Sequence, residues 1–321
     1  MPDRPRRPRP RRALLAALVT FAVAVPVSGA ARPAAVPAPA PTAIGPLRDA
    51  SAAALEERYA VSRSDIRAAG RAAAAHGDLK RADSLRAMAA PGRRFLSFDG
   101  RDGGRSVEVV GELSSARRIA VLVPGAGVGL DAYGRLRRDA RALQRELGEG
   151  AAVVAWLGYR SPATVSPAAL TTGRADGAAP GLRALVDGLR AVRPAARISL
   201  LCHSYGSVIC ARSAHRTAAD ALVLYGSPGV GSDNAAALRT GARVWAGRSG
   251  GDWIARVPHV RVRVPFVVTV GFGTDPVAER FGAEVFDAGD GGHSDYLRPG
   301  SRSLTNLARI ATGAEPLGAS R

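Results

Sequence analysis

Residues 198–210 read Ile198-Ser199-Leu200-Leu201-Cys202-His203-Ser204-Tyr205-Gly206-Ser207-Val208-Ile209-Cys210. A short apolar run stops, a serine follows in a tight turn, and a helix-like segment begins. This is the setting of a nucleophile elbow, commonly G-x-S-x-G, where a strand-to-helix turn strains the serine backbone and lifts its Oγ above a sheet. The positions two before and two after must be small, because strand and helix nearly touch there. Gly206 meets that demand. Cys202 stands where glycine is usual, but it is small. The helix start adds N–H donors and a dipole suited to developing negative charge. Taken alone, the stretch also fits a serine that merely caps a helix.

The flanking sequence supplies the context an elbow needs. Phe95–Phe98 and Ser106–Leu113 are short β-like runs, and Ile119–Val123 is a continuous apolar run ending in Pro124-Gly125. A helix is expected over about Asp131–Leu147, then strand Ala151–Leu157, helix Gly181–Val192, strand Ile198–Leu201 and helix Gly206–His215. Strand Ala221–Tyr225, helix Asn234–Thr240, strand Arg243–Ala246 and a last strand Ala283–Phe286 complete the alternation. Continuous apolar strands separated by helices predict an α/β fold, a mostly parallel sheet covered on both faces. Ahead of it, Leu47–Met88 is Ala-rich and predicts two or three short helices packed on the main domain. Ser62-x-x-Asp65 resembles a capping box there, and Asp78 can cap a helix from Leu79.

The other parts of a serine-centred site have candidates at strand ends. Ala126, in Pro124-Gly125-Ala126-Gly127, is the candidate oxyanion donor from the loop after the third strand, and Tyr205, next to the serine, is the second. A dinucleotide loop fits less well, because Leu130 holds the third glycine position and Leu157-Gly158-Tyr159 brings no acid for a ribose. No GK[ST] follows, which excludes a P-loop. Of the five histidines, His293 follows the last expected strand in a glycine-rich loop, where a base must sit to reach back to Ser204. His203 abuts Ser204, but neighbours in an elbow point apart, so it reads as a packing residue. His76, His215 and His259 fall in the helical prefix, at a helix end and in a Val/Arg-rich stretch. The acid must lie between Ser204 and His293 if the order is Ser…Asp…His. Asp252, in the loop after Arg243–Ala246, leads; Asp275 and Asp233 remain alternatives.

The elbow CHSYGS, the loop VPGAG, the run Leu222–Gly231 (LVLYGSPGVG) and Gly292–Ser301 (GHSDYLRPGS) together resemble the actinobacterial alpha/beta-hydrolase domain family of unknown function. The resemblance spans about Phe95 to Gly313. It implies an alpha/beta-hydrolase fold with Ser204 as nucleophile, His293 as base and Asp252 as acid, and it implies no particular substrate.

The chain has 321 residues, 46% of them hydrophobic, which excludes a disordered chain and leaves material for a full core. Lys80 is the single lysine beside 44 arginines in a net charge of +18. That bias, with abundant Ala, Gly and Pro, points to a GC-rich genome more than to nucleic-acid binding. Six arginines in residues 1–12, the 13-residue apolar run Ala13–Val25 and small residues before Ala30 form the pattern of a secretory signal covering 1–30. The apolar run rises only about 20 Å as a helix, short of a hydrocarbon core of about 30 Å. Arg11-Arg12-Ala13-Leu14-Leu15 matches a twin-arginine signal loosely, and the export route stays open.

Residues 31–46 read as a Pro/Ala-rich linker and 314–321 as a tail. The two cysteines, Cys202 and Cys210, flank the serine, and in an exported protein a disulfide between them would pin strand to helix. Neither a cofactor nor a metal is implied. The expectation is a secreted or cell-envelope serine hydrolase acting on a small-molecule or lipid ester, with no nucleic-acid partner. Trp253–Phe281 and Tyr159–Pro180 are candidates for a small cap, and Trp253, Phe266, Phe272 and Phe281 for an acyl pocket or for plain core. The rivals are a non-catalytic binding module of the same fold and a protein using its arginines on anionic cell-envelope polymers. Amidase, peptidase and acyltransferase activities share the same machinery, and the oligomeric state is left open.

Overall fold

The computed structural model describes residues 36–164, 166–264 and 268–318. Pro37–Arg321 form one unit; of the other, Met1–Val36, only Val36 is described. The export-signal reading of residues 1–30 and the pocket reading of Phe266 therefore lie outside the described residues. No described helix is long and apolar enough to cross a membrane.

Residues 37–50 have no regular structure, yet they are tied to the first helix. Asp65 accepts from the Thr42 N–H at 3.0 Å and from its hydroxyl at 2.9 Å, and Arg58 donates to the Gly45 carbonyl at 2.5 Å. That helix, α1 (Ala52–Ala75), starts at Ser51, whose Oγ accepts from the Ala54 N–H. The expected break at Ser62 does not occur. Leu55, Tyr59, Ser62, Ile66, Ala69 and Ala73 form one buried stripe at helical spacing, and the period runs straight through Ser62. The prefix is thus one long helix and one short one, α2 (Leu79–Met88), capped by Asp78.

Strands β1 (Arg94–Asp99), β2 (Arg105–Gly111), β3 (Arg118–Val123), β4 (Ala151–Leu157), β5 (Arg197–His203), β6 (Ala221–Tyr225), β7 (Arg243–Gly247) and β10 (Glu284–Val285) make one sheet. Its order is β1-β2-β4-β3-β5-β6-β7-β10. The pairs β1–β2 and β2–β4 are antiparallel, and every other pair is parallel. β4 and β6 are buried along their whole length, as continuous apolar runs require when helices cover both faces. The covering helices are α3 (Tyr133–Leu147), α4 (Gly173–Val192), α5 (Tyr205–Ser213) and α6 (Arg302–Thr312). A separate hairpin, β8 (Val262–Val264) with β9 (Val268–Val270), stands outside the sheet.

Several expected boundaries move. α4 begins at Gly173, eight residues before Gly181, and carries Pro180 inside it. Burial of Ala175, Ala178, Ala179 and Leu182 offsets the roughly 3 kcal/mol such a proline costs. Residues 173–180 are therefore helix and not cap. The expected helix Asn234–Thr240 is only the 3-10 turn Ala236–Leu238; it stops at Arg239, which takes left-handed backbone. The Asn234 side chain, just ahead of the turn, accepts from the Ala237 N–H. The last strand shortens to two residues, and the strand from Ser106 ends at Gly111. Residues 314–318 are tied to α6, because the Asn306 side chain bonds both the N–H and the carbonyl of Leu317.

At the antiparallel end, Arg93 and Glu108 form a buried bidentate ion pair at 2.7 Å on both arms. Arg93 also donates to the Ala87 carbonyl and lies over the rings of Phe95 and Tyr133. It joins the helical prefix to the sheet.

Candidate active site

Ser204 leaves β5 with φ 51° and ψ −124°, a region that L residues avoid. Such a backbone costs on the order of 1–3 kcal/mol and persists only where the surroundings over-determine it. Here they do. The Ser204 N–H donates to the Tyr225 carbonyl of the next strand. The Ser204 carbonyl accepts from both the N–H and the hydroxyl of Ser207, and that hydroxyl also bonds Ser227 at 2.7 Å. A Cβ on Gly206 would come within 2.5 Å of the Val123 carbonyl oxygen, so the close approach of helix and strand demands glycine. Cys202 is fully buried and its sulfur is bonded to Cys210, across a Cα separation of 6.4 Å.

The loop after β3 lies directly on the serine. A Cβ on Gly125 would meet the Ser204 Cβ at 2.7 Å. Tyr159 donates its hydroxyl to the Pro124 and Gly125 carbonyls, at 2.9 and 3.0 Å, and Ser161 reaches Gly125 at 3.3 Å. With the Gly125 carbonyl held on that side, the planar peptide turns the Ala126 N–H the opposite way. Among the described residues that N–H has no acceptor. Tyr205, as the first residue of α5, has no intrahelical acceptor either.

His293 Nε2 lies 3.0 Å from Ser204 Oγ. Its Nδ1 lies 2.9 and 3.0 Å from the two oxygens of Asp252. A carboxylate only accepts, so Nδ1 carries the proton and Nε2 presents its lone pair to the serine hydroxyl. The Asp252 side chain is fully buried, while His293 keeps 13% of its side-chain surface. Asp252 also accepts from the Ile254 N–H at 2.8 Å and the Tyr296 hydroxyl at 2.6 Å, and Tyr296 accepts in turn from the Ser249 N–H. Burial alone would raise the Asp252 carboxyl, but the bonds from His293, Tyr296 and Ile254 outweigh it and hold it below the ordinary value. The two other acids lie elsewhere: Asp275 pairs with Arg248, and Asp233 with Arg261.

His203 does more than fill space. Its Nε2–H donates to the His293 backbone carbonyl at 2.8 Å, and its ring lies 4.7 Å from the His293 ring. Burial, then repulsion from His293, pushes its pKa down to about 3, so it stays neutral and keeps that donor. Adjacency in sequence could not disclose this contact, because the partner is 90 residues away. Tyr296 lies in the GHSDYLRPGS run, yet nothing in its spacing marks it as a partner of the acid. Tyr159 is the same kind of residue, visible in Leu157-Gly158-Tyr159 without a role.

A cavity of about 190 Å3 opens over Ser204, walled by Ala126, Leu136, Asp139, Tyr225, Trp253 and His293 among others. Trp253 is 46% exposed and stands 4.7 Å from the His293 ring. Phe272 and Phe281 are buried in the core and do not border the cavity. Among the described residues of the two segments expected to cap the site, only Trp253 and Thr164 reach it.

A strained serine on a strand-to-helix turn, with its neighbours at the C-terminal edge of this sheet, defines the class. A model described as alpha/beta hydrolase matches residues 99–262, about half of the chain, and the protein belongs to that family. Among solved structures it is similar to an α/β serine hydrolase without a lid from Xanthomonas campestris, with 22% identity, 70% of this chain and 94% of that chain covered, and a TM-score of 0.42. It is similar to an α/β serine hydrolase homologue from Coxiella burnetii, at 14% identity, with 70% and 97% coverage and a TM-score of 0.41. A 2,6-dihydroxy-pseudo-oxynicotine hydrolase matches at 16% identity, with 82% and 84% coverage and a TM-score of 0.45. No curated protein matches.

Proposed function

We propose that the protein is an exported serine hydrolase that cleaves carboxylic esters through an acyl-enzyme. The observation that carries this reading is the unbroken hydrogen-bond chain from buried Asp252 through His293 to Ser204, whose Oγ faces an open cavity. His293 Nε2 takes the Ser204 proton as Oγ attacks the acyl carbonyl. The N–H groups of Ala126 and Tyr205 receive the oxyanion. His293 then gives its proton to the departing alcohol, and the ester C–O bond breaks. Water repeats the sequence on the acyl-Ser204 ester, releasing the acid and restoring the hydroxyl. Asp252 holds the imidazole tautomer and stabilises its charged form without taking the proton. Esters need the least leaving-group assistance, and His293 keeps 13% of its side-chain surface accessible beside the Trp253 ring.

Export is supported by the signal-like pattern of residues 1–30 and by the Cys202–Cys210 disulfide, which an oxidising compartment favours. N-terminal sequencing of protein recovered outside the cell is expected to begin at Ala31; an intact Met1 would reject the signal. For the chemistry, short-chain p-nitrophenyl esters are expected to give a burst of nitrophenol equal to the enzyme present, with acyl mass on Ser204. Turnover of matched amides without any ester turnover would move the assignment to an amidase.

A further inference from the structure

Helix α3 carries a stripe of arginines. Arg135, Arg138, Arg141 and Arg145 are spaced by three, three and four residues, which aligns them along one side of the helix. Another side, with Leu136, Ala140, Leu143 and Leu147, is buried. Arg298, in the segment after His293, joins the stripe in lining a groove of about 610 Å3. All five are exposed. Among the described residues none of the five side chains makes an ion pair, and only that of Arg135 has a hydrogen bond, to Ser294 Oγ at 3.5 Å. Arginines elsewhere, such as Arg93, Arg190, Arg243 and Arg261, do pair. Like charges three or four apart on a helix repel by about 0.2–0.5 kcal/mol per pair. Only Arg145, in the last turn, is offset by the helix dipole. The groove holds one carboxyl, Asp139, against five guanidiniums.

This groove adjoins the cavity over Ser204: Arg135, Asp139, Ser294 and Leu297 border both. The cavity, at about 190 Å3, is smaller than the roughly 300–1,000 Å3 of ordinary ligand sites. It holds the reacting ester and a short acyl group, and the remainder of a substrate must extend outward. Guanidiniums present forked donors that match phosphate and carboxylate oxygens. We propose that the substrate is an anionic ester, with a short acyl group over Ser204 and an alcohol portion whose phosphate or carboxylate lies in the arginine groove. This deepens the serine-hydrolase reading and rests on it.

The test gives the purified protein two esters that differ only in charge, 1-acetylglycerol and 1-acetylglycerol 3-phosphate, and follows acetate release at low and high ionic strength. At low salt kcat/KM for the phosphorylated ester is expected to exceed that for the neutral one by about tenfold or more, as one or two charge-assisted hydrogen bonds allow. The ratio should fall toward one at high salt in the wild type, and at low salt in an Arg138→Gln, Arg141→Gln, Arg145→Gln variant. An acetylated glyceric acid in a third arm separates phosphate from carboxylate recognition. Equal kcat/KM for charged and neutral esters, or a preference that survives both salt and substitution, overturns the proposal and leaves the hydrolase reading intact. If neither ester turns over while a fluorophosphonate still labels Ser204, glycerol 3-phosphate decides. Labelling slowed in the wild type but not in the arginine variant supports the groove; labelling unaffected in both overturns it. Absence of labelling removes the hydrolase reading, and the proposal with it.

Discussion

At the antiparallel end of the sheet, Arg93 and Glu108 are 3% and 2% exposed and close on each other. Beyond the ends of its parallel strands, Asp252 is equally buried and closes on His293, but His293 passes the contact outward to a serine in an open cavity. Both regions bury charge, which is costly unless paired and hydrogen-bonded. The first consumes its bonding capacity internally: both carboxylate oxygens and all three guanidinium nitrogens of the pair have partners. The second leaves one hydroxyl and two backbone N–H groups turned toward space. A closed pair holds the fold together, and a chain with a free end can act on a ligand.

Substitutions at the two regions should therefore fail in different ways. The largest effect is expected from Asp252→Asn, which keeps the shape but favours the wrong His293 tautomer. Turnover should fall by about 10⁴-fold, measured on the best ester, with the fold retained. A loss under about tenfold would show that Asp252 does not orient the base. Arg93→Met should do the reverse. Leaving Glu108 buried beside only the more distant Arg137, it should destabilise by about 3–5 kcal/mol in urea unfolding, with kcat of the remaining folded protein unchanged. Adding Glu108→Leu should recover much of that loss; no recovery would mean that Arg93 acts through its contacts with Ala87, Phe95 and Tyr133 instead.

Tyr296→Phe removes a hydroxyl that bonds the Asp252 carboxylate. A fall in turnover of about tenfold or more is expected, the size of one hydrogen bond to a charged group. An unchanged rate would reduce Tyr296 to packing. The smallest effect concerns His203. Its folded value, about 3, lies below the ordinary 6.5, so the unfolded chain takes up a proton that the folded one refuses. The stability this contributes is full above pH 6.5 and declines as the pH falls toward 3. His203→Gln should flatten the melting temperature across that window; an identical pH dependence would show that another group controls it.

The sequence was most readable where backbone geometry constrains residue choice. Gly125 and Gly206 lie where a side chain would strike Ser204 or the Val123 carbonyl, and the apolar strands are buried on both faces, so composition and position coincide. It was least readable where the partner comes from a distant element. His203, Tyr296 and the arginines of α3 acquire their neighbours only when the segment after β10 folds back over the sheet. Local signals also misled where tertiary packing overrode them. Ser62 resembled a cap, but the buried stripe of α1 carries it through the helix, and the helix expected from Asn234 is a single turn that Arg239 ends.

The central claim is that the free end of the buried chain is an activated nucleophile. The most direct measurement is fluorophosphonate labelling of the purified protein, with the modified residue located by mass spectrometry, beside Ser204→Ala and His293→Ala. The account predicts one adduct, on Ser204, absent from the first variant and slowed by about 10³-fold or more in the second. Correctly folded wild type that takes no label, or label on Ser204 that forms as fast without His293, would contradict it.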